Sequence, residues 1–403
     1  MSSSQTIIIA GAGIGGLTAA LALASRGLRV RLLEQAMRLE ETGAGLQLSP
    51  NATRVLIALG LAERLRPRVV APEAVRVRKA GNGRDLALLP VGRAQHYYGA
   101  PYWVIHRGDL QAALLAAVNE HPDITLELGA RVQAFAVHPE GVTVNYLRQS
   151  GTGNATGIGL VGADGLWSTV RTWLGEKSPP QPAGRTAWRA LVPAGAVPAE
   201  FRDPVVHLWI GPDSHLVHYP VCAGEAVNIV AISTGAWTGT DWSTRSDRDE
   251  LLARFSAADW AEPARTLLAA PEQWLKWALY DHRPLRRWGR GIATLLGDAA
   301  HPMLPFMAQG AAMAIEDAAV LGHALASVPG GTAAAMRNYE NQRRERTARV
   351  QRAARSNGVV YHLGGPAALM RDFAMTIMLG SDFLLSRYDW IYDWRPPGSA
   401  ARS

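Results

Sequence analysis

The stretch Thr6-Ile-Ile-Ile-Ala-Gly11-Ala-Gly13-Ile-Gly-Gly16-Leu-Thr-Ala-Ala-Leu-Ala-Leu-Ala24 decides the fold. Thr6–Ala10 is a short apolar, β-branched run closed by glycine, the pattern of a buried parallel strand. Ile14–Arg26 has helical spacing, with Gly27 at the position after the helix end. Leu28–Leu33 reads as a second strand and ends at Glu34. Together they form a βαβ unit, the start of a doubly wound sheet. The glycines follow G-x-G-x-x-G between strand and helix. Gly11 permits the tight turn, Gly13 lets backbone approach a pyrophosphate, and Gly16 lets helix pack on strand. The phosphates would sit on free N–H groups at the positive helix end. Glu34, placed 18 residues after Gly16, can accept from both ribose hydroxyls and disfavours a 2′-phosphate. The motif leaves NAD and FAD both open.

The same run, Ile7–Ala24, carries no charge and is long enough to suggest a membrane helix. Four glycines inside it argue against a spanning helix, and the six residues before it hold no Lys or Arg, as a secretory signal would require. The expectation is therefore a soluble chain without stable membrane insertion. The 403 residues suggest two or three domains. With 48% apolar and 19% charged residues the composition is globular. The net charge is +7, from 41 basic and 34 acidic residues, and one basic run alone stands out. That suits anionic small molecules better than nucleic acid, which is not expected as a partner. The single cysteine, Cys222, excludes an internal disulfide and a cysteine-cluster metal site; no metal is expected, and a cytoplasmic location is.

Further along, Asn51–Leu59 and Asp109–Asn119 read as helices. Val75–Arg78, Asp85–Leu89, Ile124–Leu128, Arg131–His138, Gly141–Arg148 and Gly159–Val161 read as strands. From Thr186 to Ser233 the texture turns antiparallel: Ala187–Val192, Val205–Ile210, His215–Val221 and Ala226–Ser233 are strands with hairpin turns. Asp247–Ala257 and Pro263–Ala270 are helical. Ile292–Leu296 is again a buried strand, Gly310–Ser327 and Ala333–Asn357 are helices, and Pro366–Leu385 is expected as another. The fold class is α/β: a Rossmann-like domain of residues 1–74, 101–185 and 281–360, an antiparallel-sheet domain of 75–100 and 186–280, and a C-terminal helical tail of 361–403.

Two more motifs carry chemistry. Gly162-Ala-Asp164-Gly165-Leu-Trp-Ser168-Thr-Val-Arg171 follows a strand; Ser168 and Arg171 could merely cap and flank the next helix. Gly297-Asp298-Ala-Ala-His301-Pro302-Met-Leu-Pro305-Phe306-Met-Ala-Gln309-Gly310 also follows a strand. Asp298 at a strand's carboxyl edge suits a hydroxyl-bearing ligand. Pro302 and Pro305 stiffen the loop. Gly310 opens a helix whose free N–H groups suit the N1–C2=O end of a flavin, which becomes anionic on reduction.

These three motifs, in this order, resemble the single-component FAD-dependent aromatic hydroxylases, the group A flavoprotein monooxygenases. Gly43–Asn51, His106–Leu110 and Gly310–Asp317 are similar to the salicylate hydroxylase branch, which includes 3-hydroxybenzoate 6-hydroxylases and 6-hydroxynicotinate 3-monooxygenases. The resemblance implies that Gly11, Gly13, Gly16, Glu34, Arg107, Asp164, Asp298, Pro302 and Gly310 serve the cofactor: Glu34 at the adenosine ribose, Arg107 near the pyrophosphate, Asp298 at the ribityl chain, Asp164 for FAD and nicotinamide together. It implies NADH or NADPH as co-substrate without a Rossmann domain of its own, and O2 as partner. It implies reduction of FAD, O2 addition at flavin C4a, and transfer of oxygen from the hydroperoxide to an electron-rich aromatic acid or phenol. A homodimer is compatible with it.

His215, Val217 and Tyr219 share one face of their strand and His218 points away, so the two histidines are poor joint metal ligands. His215 with Tyr219 resembles the His/Tyr pair of the hydroxynicotinate enzymes, and Gln309 a glutamine near the substrate in the hydroxybenzoate enzymes. His215, Tyr219 and Gln309 are the implied catalytic groups; Gln47, Pro305 and Phe306 are the implied substrate contacts. Gln47 and Phe306 stand where the hydroxynicotinate enzymes carry histidine. His215 and Tyr219 could also be ordinary half-buried strand residues, and Arg189 could face a carboxylate or solvent. The helix with Arg343, Arg344, Arg346, Arg349, Arg352 and Arg355 is expected to show a solvated basic face, with lipid or subunit contact as the alternative. A flavin oxidase or dehydrogenase without oxygen insertion, or a non-enzymatic redox-sensing flavoprotein, are the competing functions.

Overall fold

A computed structural model of the chain describes residues 5–39, 44–235, 237, 243–377 and 382–399. Gly43 and the middle of the expected Pro366–Leu385 helix lie outside them.

Five parallel strands form the first sheet, in the order Ala293–Leu295, Gly159–Gly162, Thr6–Ala10, Arg29–Leu33, Ile124–Glu127. Ile7, Ile8 and Ile9 at its centre are fully buried, as a strand covered on both faces requires. The helix Ile14–Ala24 is buried along almost its whole length because the helix Gly310–Ser327 packs against it. Gly322 permits that approach: a Cβ there would lie 2.7 Å from the carbonyl oxygen of Ala22. The strand Ala293–Leu295 thus returns to the first sheet after the antiparallel segment, as its apolar run suggested.

The second sheet has eight strands, in the order Ser243–Asp247, Gln273–Asp281, Gln181–Pro193, Ala226–Thr234, Ser214–Val221, Val205–Gly211, Ala74–Lys79, Asp85–Leu89. All its pairings are antiparallel except that of Val205–Gly211 with Ala74–Lys79. A two-stranded ribbon, Gly45–Leu48 with Trp103–His106, contacts the second sheet, Trp103–His106 packing against the strand Ser214–Val221. Helix Gly331–Tyr361 runs for 31 residues.

Five strands escape the sequence reading: Gly45–Leu48, Trp103–His106, Gly151–Gly157, Ser243–Asp247 and Gln273–Asp281. Gly151–Gly157 is a run of Gly, Thr, Asn and Ala that only its neighbour orders, as the third strand of a meander with Arg131–His138 and Gly141–Arg148. Asp247 opens no long helix. It ends a strand and caps the short helix Arg248–Arg254, accepting from the N–H of Glu250 at 2.8 Å. Among the described residues the C-terminal segment holds the helices Gly365–Ile377, Asp382–Ser386 and Asp389–Tyr392.

Candidate functional site

A cleft of about 320 Å³ lies between the two sheets. One wall comes from strand ends of the parallel sheet, the usual ligand crevice of such sheets. Gly13, Gly297, Asp298 and Gly310 belong to this wall. The facing wall comes from alternate residues of neighbouring strands: Arg189, Val230 and Ile232, His215, Val217 and Tyr219.

The glycine turn is built as its sequence requires. Gly11 has φ +101°, and a Cβ on it would lie 2.5 Å from the Ala163 carbonyl oxygen. A Cβ on Gly16 would lie 1.9 Å from the carbonyl oxygen of Gly11. A Cβ on Gly13 would meet nothing within 4 Å, so this backbone is bare toward the cleft. Glu34 braces the turn, its carboxylate accepting from the N–H groups of Ala12 at 2.7 Å and Ala36 at 2.8 Å. Arg107 opens the helix Arg107–Glu120 and faces the cleft. We expect Gly16→Ala to yield protein that folds poorly or without cofactor; absorbance of the purified variant checks this.

Asp164 does not turn into the cleft. Its carboxylate accepts from the N–H groups of Thr169 at 2.8 Å and Val170 at 3.1 Å and from the Ser168 hydroxyl, capping the helix Thr169–Trp173. Its neighbours Ala163 and Gly165 reach the cleft instead. Arg171 does more than flank that helix. Its guanidinium donates to the carbonyl oxygens of Leu166, Ala299 and Asp298, tying the Asp-Gly motif to the Gly-Asp motif.

The Gly-Asp loop is held from beneath. Asp317 accepts from the Gly297 N–H at 3.0 Å and from His301 Nε2 at 2.5 Å. Arg343 binds both Asp317 and Glu316, and Arg346 binds Glu316. Glu316, Asp317 and Arg343 are all buried. Arg343 and Arg346 are therefore the cationic half of an interior ion cluster and Arg355 pairs with Asp281, a correction to the expected solvated face at these three positions, while Arg344, Arg349 and Arg352 are exposed as expected. Asp298 faces the cleft. The protein around it pushes its carboxyl above the usual range, against the pull of His301, Arg107 and Arg171. The side chain is nevertheless exposed to the open cleft, where a ligand hydroxyl can reach its carboxylate. Pro302 points elsewhere and gives its carbonyl to Gln351 at 2.8 Å.

Gln309 is not brought to the cleft. It is buried, donating to the Ser49 hydroxyl at 2.9 Å and accepting from Asn51 at 3.2 Å, and Asn51 reaches Glu316 at 2.6 Å. Gln309 thus extends the ion cluster to the segment Ser49–Asn51. This corrects its expected position beside a substrate.

His215, Tyr219, Gln47, Pro305 and Phe306 do converge. A side chamber of about 90 Å³ opens beside the cleft, lined by Gln47, His215, Pro305, Phe306 and the tyrosines Tyr102, Tyr361, Tyr388 and Tyr392. Gln47, His215 and Pro305 line both spaces. Tyr102 donates to Gln47 Oε1 at 2.7 Å, and Tyr219 also bonds Gln47. Gly45 lets the Tyr219 ring close in; a Cβ there would lie 2.5 Å from it. His218 faces the other side of the sheet. It stacks on His207 with centroids 4.5 Å apart and accepts from Trp209 Nε1 at 3.2 Å.

His215 does not pair with Tyr219. Its Nδ1 lies 2.7 Å from Nε2 of His362, a residue that no motif flagged. Arg189 faces the cleft, stacked on Trp277 at 4.2 Å, and burial lowers its pKa to about 10. Cys222 lies within 4.8 Å of His106 and Asp109 ligand atoms. Its thiol is pushed up by burial and by Asp109, which it also hydrogen-bonds.

Residues 4–355 match the family described as FAD binding domain, and the chain belongs to that family. It is 37% identical over 398 residues to 3-hydroxybenzoate 6-hydroxylase of Klebsiella oxytoca, spanning 98% of each chain. It is 36% identical over 363 residues to 6-hydroxynicotinate 3-monooxygenase of Pseudomonas fluorescens, spanning 89% of this chain and 92% of that one. The crystal structure of Klebsiella pneumoniae HpxO complexed with FAD and uric acid superposes with a TM-score of 0.85 at 26% identity, covering 98% of both chains. The protein is an FAD-dependent monooxygenase of the aromatic hydroxylase type. Its cleft fits the cofactor: the bare Gly13 backbone, two helix N-termini at Ile14 and Gly310, Arg107 and Asp298 all line one crevice.

Proposed function

We propose that the enzyme hydroxylates a monocyclic phenolic acid of the hydroxybenzoate type, consuming O2 and NADH or NADPH. The observation that carries this reading is the side chamber, a small aromatic-lined space that meets the cleft at His215, Gln47 and Pro305. The names of the relatives support it, and so do Gln47 and Phe306 in place of the hydroxynicotinate histidines. No helix among the described residues is long and apolar enough to cross a membrane. The single cysteine agrees with a cytoplasmic setting.

In this reading Glu34 takes the adenosine ribose, Arg107 the pyrophosphate and Asp298 the ribityl chain. Bound FAD supplies the redox and oxygen-transfer chemistry. The chain's own residues hold the ring and control its proton. Phe306, Pro305 and the tyrosines would pack the ring and exclude water. Gln47 would orient a polar substituent while Tyr102 and Tyr219 orient Gln47. Arg189 and Arg107 put positive charge on the cleft, which favours an anionic substrate. His215 would take the phenolic proton, because the phenolate enriches the carbon that is attacked. Burial, then His362 and Arg185, hold the His215 imidazole well below its usual pKa, so it rests neutral, with a free ring nitrogen, at physiological pH.

A panel of hydroxybenzoates and hydroxypyridines, scored by stimulated NAD(P)H oxidation and by product mass, tests the reading. A product without added oxygen would reject it. Asp298→Ala should weaken FAD binding tenfold to more than a hundredfold, since a hydrogen bond to a charged group is worth ~1.5–3 kcal/mol. Flavin titration of the apoprotein measures this, and unchanged affinity would remove Asp298 from the cofactor site.

A further inference from the structure

We propose that Tyr388 and Tyr392, on the C-terminal segment, are specificity-determining residues: their rings end the side chamber and limit it to one aromatic ring. This rests on the reading that the chamber receives the substrate ring. The chamber measures about 90 Å³. That is less than the ~150 Å³ of a protein cavity that takes up one benzene. A single ring therefore enters only with its polar edge still at the mouth, between Gln47, His215 and Pro305. A second, fused ring would need the space that the two tyrosines fill.

The sheet shows which end they close. The chamber floor is Val217, Leu208, Val75 and Leu89, one from each of four neighbouring strands. Leu208 pairs with Val217, and Val75 with Leu89, so all four lie on one face. From the strand of Val217 to that of Leu89 is three strand spacings, ~14 Å. The cleft lies at the Val217 end. The helix Asp382–Ser386 contacts the edge strand Asp85–Leu89 at the other. Leu384, Leu385, Ile391 and Tyr392 share one buried cluster with Leu89 and Leu208. The C-terminal segment thus stands at the far end from His215.

This end wall is fixed. Tyr388 and Tyr392 stack with centroids 5.4 Å apart and planes at 15°. Tyr392 meets Tyr98 and Tyr102 edge-on at 5.7 and 6.0 Å. Asp389, between the two tyrosines in sequence, accepts from the Tyr98 hydroxyl at 2.7 Å. Arg346 donates to the carbonyls of Trp390 at 2.6 Å and Ile391 at 3.1 Å, and Arg349 stacks on Trp390 at 3.9 Å. Arg346 also binds Glu316, so the ion cluster beneath the Gly-Asp loop holds the end wall as well. A wall held from several sides selects by size, because it cannot repack cheaply around a longer ligand. One methylene more or less in an apolar pocket already shifts kcat/KM about tenfold to two-hundredfold.

The test compares 3-hydroxybenzoate with 4-hydroxy-2-naphthoate, the same meta-hydroxy acid carrying one fused ring. Tyr388→Ala and Tyr392→Leu widen the end of the chamber, and Tyr388→Trp shortens it. In the holoenzymes the ratio of kcat/KM, bicyclic over monocyclic, should rise at least about tenfold in the first two variants. Tyr388→Trp should raise KM for 3-hydroxybenzoate about tenfold with FAD content unchanged. Equal use of both acids by the wild type would overturn the proposal, as would an unchanged ratio in the widened variants. Tyr392 is buried and Tyr388 half-buried, so Tyr392→Leu is the variant more exposed to misfolding. If both widened variants lose FAD, Tyr388→Trp decides: an unchanged KM would refute the wall. If the wild type does not hydroxylate 3-hydroxybenzoate, the substrate reading fails separately. Binding of phenol and 1-naphthol, seen as perturbation of the flavin spectrum, then judges the wall. The wild type should bind phenol alone and Tyr388→Ala both; the same preference in the two proteins would refute it.

Discussion

Arg343→Leu should lower the stability of the folded enzyme by ~3–5 kcal/mol, the cost of removing one partner from a buried ion pair. Glu316 and Asp317, both fully buried, would be left with Arg346 and His301 as their remaining charged or ionisable partners. Arg344→Leu is the control. Its guanidinium is exposed and donates to the Arg286 carbonyl, and surface changes of that kind stay within about ±0.5 kcal/mol. Thermal melts of the holoproteins, with FAD content recorded, make the comparison. Similar melts for both variants would mean that the cluster relaxes or admits water. The acid dependence gives a second reading. Burial alone would raise the Asp317 carboxyl, but His301 and Arg343 outweigh it and hold it at about 2 instead of 3.8. A depressed carboxyl contributes stability that is fully present above about pH 4 and is lost as pH falls toward 2. In Arg343→Leu that pull is reduced and burial remains, so the folded carboxyl moves back toward its unfolded value and this acid-linked loss should shrink.

The same cluster shows where sequence reasoning reached and where it stopped. The glycine turn, Glu34 and the two strand-ending motifs were legible because each depends on local backbone geometry: a positive φ at Gly11, a Cβ excluded at Gly16, an acid at a strand end. The strands of the parallel core were read from apolar runs, and their number and order come from the structure. Arg343 and Arg346 depart from the solvated face that Arg344, Arg349 and Arg352 do show, because a charge run implies solvent unless its counter-charges are known. Glu316 and Asp317 lie some 26–30 positions earlier, on a helix that only the tertiary fold brings alongside. Gln309 was misplaced for a related reason. Its position at the mouth of a helix is correct, but the side chain is drawn inward by Ser49 and Asn51, two buried polar residues about 260 positions away. Asp164 shows the opposite case: a local rule, carboxylate before a short helix, prevails over the role implied by resemblance. His362 had no sequence signal. It is one histidine after a long helix, and only its distance to His215 gives it meaning.

Register was the most reliable guide within the second sheet, and it yields the second large prediction. His215 and Tyr219 lie on the cleft face and His218 on the other. His215→Ala should therefore cut kcat by ~10²–10⁴-fold, the usual span for general base catalysis, with a much smaller change in KM. Tyr219→Phe removes a hydrogen bond to Gln47 and should act mainly on binding, by ~0.5–1.5 kcal/mol. His218→Ala should leave kcat alone and cost stability, since His218 is fully buried between Phe201, His207 and Trp209. The pH profile separates a base from a packing residue. Burial first, then His362 and Arg185, lower the His215 pKa well below 6.5. The base form thus persists as pH falls through the normal histidine range, and the acid limb of kcat should lie below pH 6.5 in the wild type. That limb should vanish in His215→Ala, where hydroxide or buffer must take the proton and the residual rate should climb with pH. Equal kcat and an unchanged profile in His215→Ala would assign the proton to another acceptor. Loss of kcat in His218→Ala alone would mean that the strand is one residue out of register, because a single step exchanges every side chain between the cleft and the core.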